Sequence, residues 1–306
     1  MSALFHNHTD GGASIHKPVL LSELLDLLQP APNENFVDGT TGGGGMAEEV
    51  LKRTAPNGKV LCIDIDKRAL ARAREKLSPK RGRTIFLNGN FKDIDLLVKS
   101  SGLERVDGIY LDLGISSDQL ESETRGFSFR FPEAYLDMRM GENVPLRADV
   151  ILNTFSRETL ETILRSYGEE SKAKVFAEEI IRFRKKRHFV KVSDLLSVVE
   201  KVYPARKSKL HPGTKVFQAL RIAVNDELTN LETFLPKAFE VLSSKGRLAV
   251  IAFHSLEDRI VKRFVKEVIK SGRGIALSKK PVRPAREEVL KNPRSRSAKL
   301  RVVKKL

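Results

Sequence analysis

Four consecutive glycines, Gly42 to Gly45, close the stretch Asp38-Gly39-Thr40-Thr41-Gly42-Gly43-Gly44-Gly45. The apolar pair Phe36-Val37 precedes it, and a helical pattern, Met46 to Lys52, follows. A strand that runs into a glycine turn and then a helix constrains the fold more than any other feature of this chain. The glycines let backbone N–H groups approach a ligand, and the helix N-terminus supplies positive potential. The next apolar run, Val60-Leu61-Cys62-Ile63, ends in Asp64-Ile65-Asp66. Asp64 lies 20 residues beyond Gly44, where a carboxylate can accept hydrogen bonds from both hydroxyls of a ribose. Asp112 ends a third run, Ile109-Tyr110-Leu111. Three acids at three strand ends around one glycine turn describe a cofactor crevice.

Around that turn the patterns alternate. A helix over Val19–Leu28 ends before Pro30, and Pro56-Asn57-Gly58 separates the Met46–Lys52 helix from the second strand. An amphipathic helix over Arg68–Leu77 leads to a third strand, Thr84–Leu87; a helix over Ile94–Lys99 leads to a fourth, Val106–Leu111. This order predicts a parallel sheet with helices on both faces. Between about 121 and 215 the rhythm breaks into basic helical patterns, Arg157–Tyr167, Lys172–Lys186 and Ser193–Tyr203. It resumes with a helix over Asn225–Leu242, the strand Leu248–Phe253 and a helix over Glu257–Ile269. Ile275–Leu277 and Leu300–Val303 are expected to form a closing antiparallel pair. The organisation expected is a tail over 1–15, a sheet domain over 16–120 and 216–306, and a helical insert over 121–215.

The net charge of +16 is unevenly spread: residues 279–306 hold eleven Lys/Arg against two acids, and 172–191 hold eight against two. Such clustering points to a polyanion, with nucleic acid as the first candidate. The single cysteine, Cys62, rules out a disulfide framework and a Cys-based zinc site, and its mid-strand position suits an inert core thiol. No stretch reaches the length of a membrane span and no signal peptide is evident, so a cytoplasmic protein without membrane contact is expected. No His/Asp/Glu cluster has metal-ligand spacing, so no catalytic metal is expected. His254, at a strand end, reads as structural rather than as a base.

Three ligand classes compete for the glycine turn. A Walker A loop is excluded, because no Lys-Ser or Lys-Thr follows the glycines. A dinucleotide remains open, since Gly42-x-Gly44-x-x-Ala47 fits G-x-G-x-x-A. The third class is S-adenosylmethionine, whose enzymes carry an acid at the end of strand one, a glycine turn, and a ribose-binding acid after strand two. Asp38 separates the last two. Its carboxylate would oppose a pyrophosphate, yet attracts the ammonium and sulfonium side of the methyl donor.

A longer set of motifs carries a family resemblance. It comprises His16-Lys17-Pro18-Val19-Leu20-Leu21, the glycine turn, and Asp107-Gly108-Ile109-Tyr110-Leu111-Asp112-Leu113-Gly114-Ile115-Ser116-Ser117-x-Gln119-Leu120. Arg125-Gly126-Phe127-Ser128-Phe129 and Leu136-Asp137-Met138-Arg139-Met140 follow. Phe217-Gln218-Ala219-Leu220-Arg221-Ile222 with Asn225 and Glu227, and Phe253-His254-Ser255-Leu256-Glu257-Asp258-Arg259, complete it. In order and spacing these resemble the bacterial 16S ribosomal RNA (cytosine-N4)-methyltransferase family, RsmH, formerly MraW, over nearly all of 16–301. The resemblance implies a Rossmann-like class I methyltransferase domain using S-adenosylmethionine, with an inserted all-helical domain that recognises substrate. It implies N4-methylation of a cytosine, position 1402, in the decoding region of 16S rRNA, with the small (30S) subunit as partner. A homodimer is left open.

Carried over by position, Gly44, Gly45 and the backbone of Met46 should hold the methyl donor, with Asp64 on the ribose, Phe91 by the adenine, and Asp112 and Gln119 completing the pocket. The family usually has histidine where this chain has Met46, a change without consequence if the position acts through its backbone N–H. Related amino-methyltransferases place Asp/Asn-Pro-Pro-aromatic after strand four. Here the segment is Asp112-Leu113-Gly114-Ile115-Ser116-Ser117, which makes Asp112, Ser116 and Ser117 the candidates to receive the amine proton. Arg125-Gly126-Phe127-Ser128-Phe129-Arg130-Phe131 interleaves aromatics with guanidiniums. It reads equally as a base-stacking segment or as a strand with its Phe face in the core.

Overall fold

A computed structural model describes residues 18–204 and 211–306. The expected 1–15 tail and the His16-Lys17 start of the first motif lie outside the described residues. Strands β1 (Phe36–Asp38), β2 (Val60–Asp64), β3 (Thr84–Asn88), β4 (Gly108–Asp112), β5 (Arg247–Ala252), β6 (Gly274–Ala276) and β7 (Lys299–Lys305) form one sheet in the order β3-β2-β1-β4-β5-β7-β6. The first five run parallel, and β7 lies antiparallel between β5 and β6. The expected closing pair is present, with Ala276 opposite Val303.

The sheet is buried on both faces, which explains why its strands read as continuous apolar runs. Successive side chains point to opposite faces. Phe36 therefore packs with α1 (Leu21–Leu28) and α2 (Gly45–Arg53), whereas Val37 packs with α4 (Ile94–Ser101), α11 (Glu227–Val241) and α12 (Ser255–Lys270). Gly108 makes room for Phe36: a Cβ there would come within 2.1 Å of the Phe36 ring. The remaining helices of this layer are α3 (Lys67–Lys76), which starts where Asp66 accepts the Arg68 N–H at 3.0 Å, the short α5 (Ser117–Leu120) and α13 (Arg286–Lys291).

The chain lays β1, β2 and β3 outward in one direction and then crosses to β4 and β5 on the other side. The order thus reverses between β1 and β4, and the crevice at such a switch point is where open α/β sheets bind ligands. Asp38, Asp64 and Asp112 end three strands that are neighbours across this point.

Between β4 and α11 stand α6 (Ala148–Thr154), α7 (Arg157–Gly168), α8 (Ala173–Arg184), α9 (Val192–Val202) and α10 (Thr214–Asn225). They share a separate core that includes Phe176, Ile180, Leu195, Phe217, Leu220 and Val224. The expected return to the sheet domain at 216 falls inside α10, which belongs to this helical core through residue 224. Gly168 admits the close approach of α7 to α10, since a Cβ there would sit 2.6 Å from the Lys215 carbonyl oxygen. The chain leaves the lobe at Asp226, in the left-handed conformation with φ 51°.

The alternating segment 125–131 is neither a strand nor a free stacking surface. Phe127 is buried in the lobe core, Phe131 packs against it, and Phe129 stacks on His211 at 4.1 Å. Arg125 ion-pairs with Asp66 and donates to the carbonyl oxygens of Arg139 and Met140 at 2.8 Å each. Its guanidinium joins the lobe to the sheet instead of facing a phosphate.

Candidate active site

A cavity of about 440 Å³ opens over the tips of β1, β2 and β4. Asp38, Asp64 and Asp112 line it together with Gly42, Gly43, Gly45, Met46, Phe91, Ser116, Ser117 and Gln119. Gly44 stands behind this surface, its N–H donating to the Thr41 carbonyl at 2.8 Å within the turn. At φ 81° it supplies the left-handed bend just before α2. Gly45 and Met46 begin that helix, so their N–H groups belong to the first turn, where no intrahelical acceptor exists. The Met46 side chain packs among core residues although the residue also lines the cavity.

Each acid is held differently. Asp64 accepts the Gly42 N–H on Oδ2 and the Asp66 N–H on Oδ1, both at 2.8 Å. One lone pair on each oxygen remains, the requirement for a vicinal diol. Burial lifts its carboxyl to about 6, against those two hydrogen bonds. Asp38 is buried, accepts the Thr40 N–H at 3.2 Å, and is raised to about 8, first by burial and further by Asp64 and Asp112. Asp112 donates its N–H to Thr40 Oγ1 at 2.7 Å, but its buried Oδ1 has no protein partner. Burial, reinforced by the Glu257 carboxylate, lifts the Asp112 carboxyl to about 7.

The remaining expected residues divide. Phe91 presents a ring at the cavity and is held by an edge-on contact with Phe234 at 5.4 Å. Gln119 lines the cavity but is also tied to protein: Oε1 accepts the Ser116 N–H at 3.1 Å, and Nε2 donates to Asp66 and the Met140 carbonyl at 3.3 and 3.4 Å. Ser116 caps α5, accepting the Gln119 N–H at 3.2 Å. Ser117 Oγ accepts from Arg294 at 2.9 Å.

Asn225, Glu227, Asn230, Glu257, Asn292 and Arg294 also line the cavity. Asn225 ties lobe to site, accepting the Met140 N–H at 2.7 Å and donating to the Met138 carbonyl at 2.8 Å. Arg221 forms a two-pronged pair with Glu227 at 2.8 Å on each prong. Glu257 accepts the N–H groups of Phe253 and His254 at 2.8 and 3.3 Å. Burial works against its charge, but His254 and Arg221 hold the carboxyl below the usual range. His254 caps α12, as a structural reading of a strand-end histidine expects. Glu227, His254 and Glu257 bring ligand-capable atoms within 4.8 Å of one another, a proximity that sequence spacing did not reveal. Both carboxylates are already committed, to Arg221 and to backbone N–H groups.

The switch-point crevice, the glycine turn and the acids at the tips of β1, β2 and β4 define a Rossmann-like class I methyltransferase. The chain belongs to the MraW methylase family, whose model matches residues 13–306. It is 43% identical to a protein of Thermomicrobium roseum over 96% of this chain and 94% of that one. It is 44% identical to one of Dictyoglomus thermophilum over 94% and 96%, and 42% identical to one of Heliobacterium mobile over 95% and 99%. All three relatives are called ribosomal RNA small subunit methyltransferase H. The cofactor of this class is S-adenosylmethionine, and the site fits it. Asp64 keeps lone pairs for a diol, Phe91 offers an apolar face, and buried acids await a cationic ligand. Among the described residues no helix is long and apolar enough to cross a membrane.

Proposed function

We propose that this chain methylates the exocyclic N4 of a cytosine in the decoding region of 16S rRNA, position 1402, acting on the small ribosomal subunit. The observation that carries the reading is Asp112: a half-buried acid at a strand tip, its Oδ1 without a protein partner, in the same cavity as Asp64, whose two oxygens each keep a lone pair. When bound, S-adenosylmethionine supplies a sulfonium methyl open to in-line displacement. The cytosine amine is a weak nucleophile, because its lone pair is delocalised into the ring. Asp112 Oδ1 accepts a hydrogen bond from that amine, favours its pyramidal form, and takes the proton as the N–C bond forms. A carboxyl lifted to about 7 is matched to this task near neutrality.

The other assignments follow the same logic. The N–H groups of Gly45 and Met46 face the donor's methionine end, and Phe91 lies against its adenine. Gln119 and Ser116 position the segment after β4 rather than meeting the donor directly. The target base must leave its stack to reach the strand tips. The helical lobe, taken as 121–225 because α10 shares its core, grips the RNA backbone with the exposed run Lys185-Lys186-Arg187-His188. Such phosphate contacts position a substrate without reading its sequence. The names of the full-length relatives support an rRNA substrate.

Transfer of labelled methyl from S-adenosylmethionine to small-subunit particles of a strain lacking the enzyme tests the reading. Stoichiometric labelling of RNA is expected. Donor binding without transfer to particles or to naked RNA would leave a binding protein and remove the enzyme.

A further inference from the structure

The C-terminal segment folds back over the mouth of the cavity. Glu288, in α13, accepts the Leu20 N–H at 3.0 Å, beside the Pro18-Val19 edge of the cavity. Next comes a 3-10 turn, Pro293–Ser297, capped by Asn292, whose side chain accepts the Arg294 N–H at 3.3 Å. Buried Ser295 donates to the Asn292 carbonyl at 2.8 Å, and the turn runs directly into β7, which is paired to β5. The backbone of Arg294 is therefore fixed by a cap, a buried hydroxyl and the sheet.

Its side chain is held less firmly. Nη1 donates to Ser117 Oγ at 2.9 Å and Nη2 to Glu121 at 3.0 Å, across the segment that follows Asp112. The Arg294 side chain is 41% exposed and that of Glu121 57%. A pair so exposed is screened by water and weak, so an anion of higher charge density can replace the carboxylate. A guanidinium presents a planar fork that matches phosphate oxygens. Arg294 belongs to a stretch, 279–306, that holds ten other Lys/Arg.

We propose that Arg294 binds a backbone phosphate of the acceptor strand beside the extruded nucleotide, exchanging Glu121 for that phosphate as RNA enters. This rests on the RNA-methyltransferase reading above. Arg294 is then a substrate-binding residue at the rim, and Glu121 a competing internal anion that keeps the fork oriented before RNA arrives.

The test compares wild type with Arg294→Ala, Arg294→Lys and Glu121→Gln, all at exposed positions, using small-subunit particles. Arg294→Ala is expected to raise the KM for particles about tenfold, to leave the Kd for S-adenosylmethionine unchanged, and to flatten the log–log salt dependence of RNA binding by about 0.9, the loss of one phosphate contact. Arg294→Lys should keep the salt slope and recover part of the KM. Glu121→Gln should lower the KM, an effect of opposite sign that a purely structural pair would not produce. Wild-type KM and salt slope in Arg294→Ala would overturn the proposal. So would a loss confined to S-adenosylmethionine binding, which would assign the guanidinium to the donor's carboxylate. If wild type itself transfers no methyl to RNA, the functional reading fails rather than the placement of Arg294.

Discussion

Asp64 Oδ2 accepts the Gly42 N–H at 2.8 Å, which fastens the tip of β2 to the glycine turn that follows β1. The acid proposed to meet the ribose is therefore also the acid that sets the turn. Both halves of the donor site are organised before ligand arrives, and this preorganisation reduces the cost of binding.

Asp64→Ala removes the charged acceptor and its hold on the turn. The Kd for S-adenosylmethionine should rise by an amount equivalent to about 1.5–3 kcal/mol, the usual range for hydrogen bonds to a charged group. Titration calorimetry measures it, and an unchanged Kd would take Asp64 off the ribose.

Asp112 can accept a proton only when ionised, and burial lifts its carboxyl to about 7. The single-turnover rate should climb with pH through about 7 and level off above it. Asp112→Asn should lower kcat by about 10²–10⁴, the usual span for a general base, and abolish that rise while donor affinity is retained. A pH profile identical to wild type would exclude Asp112 as the proton acceptor.

The same acids set stability. Asp38 and Asp112 are raised to about 8 and about 7, against about 3.9 for an unfolded aspartate, so over that interval the folded chain binds protons that the unfolded chain has released. Their contribution is present in full below the unfolded value and is lost as pH rises through the folded ones. The melting temperature of the ligand-free enzyme should therefore fall from about pH 5 to pH 8.5, and Asp38→Asn should remove part of that slope. Scanning calorimetry across the interval reads it directly; a Tm that rises with pH would contradict the assignment.

Arg221 is largely buried, and its two-pronged partner is Glu227 on the next helix. Glu227→Ala removes the hydrogen-bonded partner of that charge, leaving only the more distant Glu257 to offset it, and should destabilise the fold by up to about 3–5 kcal/mol. Denaturant unfolding at constant pH gives the value. A change below about 1 kcal/mol, within the range of an exposed pair, would show that water reaches Arg221.

The legible parts of this site are local in sequence. Strand tips, a glycine turn and a following helix each announce themselves within a few residues, so Asp38, Asp64 and Asp112 could be placed together before any coordinates. What stayed hidden depends on partners far along the chain. The alternation of 125–131 resembles a strand or a stacking surface only until Arg125 finds Asp66, 59 residues earlier. The expected boundary at 216 falls inside α10, whose packing against α7 its own pattern does not show. Gln119 lines the cavity as its place after Asp112 suggests, but its bonds to Ser116, Asp66 and Met140 could not be read from the sequence. The basic run 279–306 points to a polyanion but does not single out Arg294, which reaches the cavity because β7 pairs beside β5.

Acids at adjoining strand tips are proposed to hold the methyl donor and to take the proton from the cytosine amine that receives its methyl. The direct measurement is tandem mass spectrometry of nucleosides from small-subunit rRNA of a deletion strain, after incubation with the enzyme and a deuterated methyl donor. One labelled methyl on N4 of a decoding-region cytosine is expected, present with wild type and missing with Asp112→Asn. Label on a ring carbon, on another base, or undiminished by Asp112→Asn would contradict it.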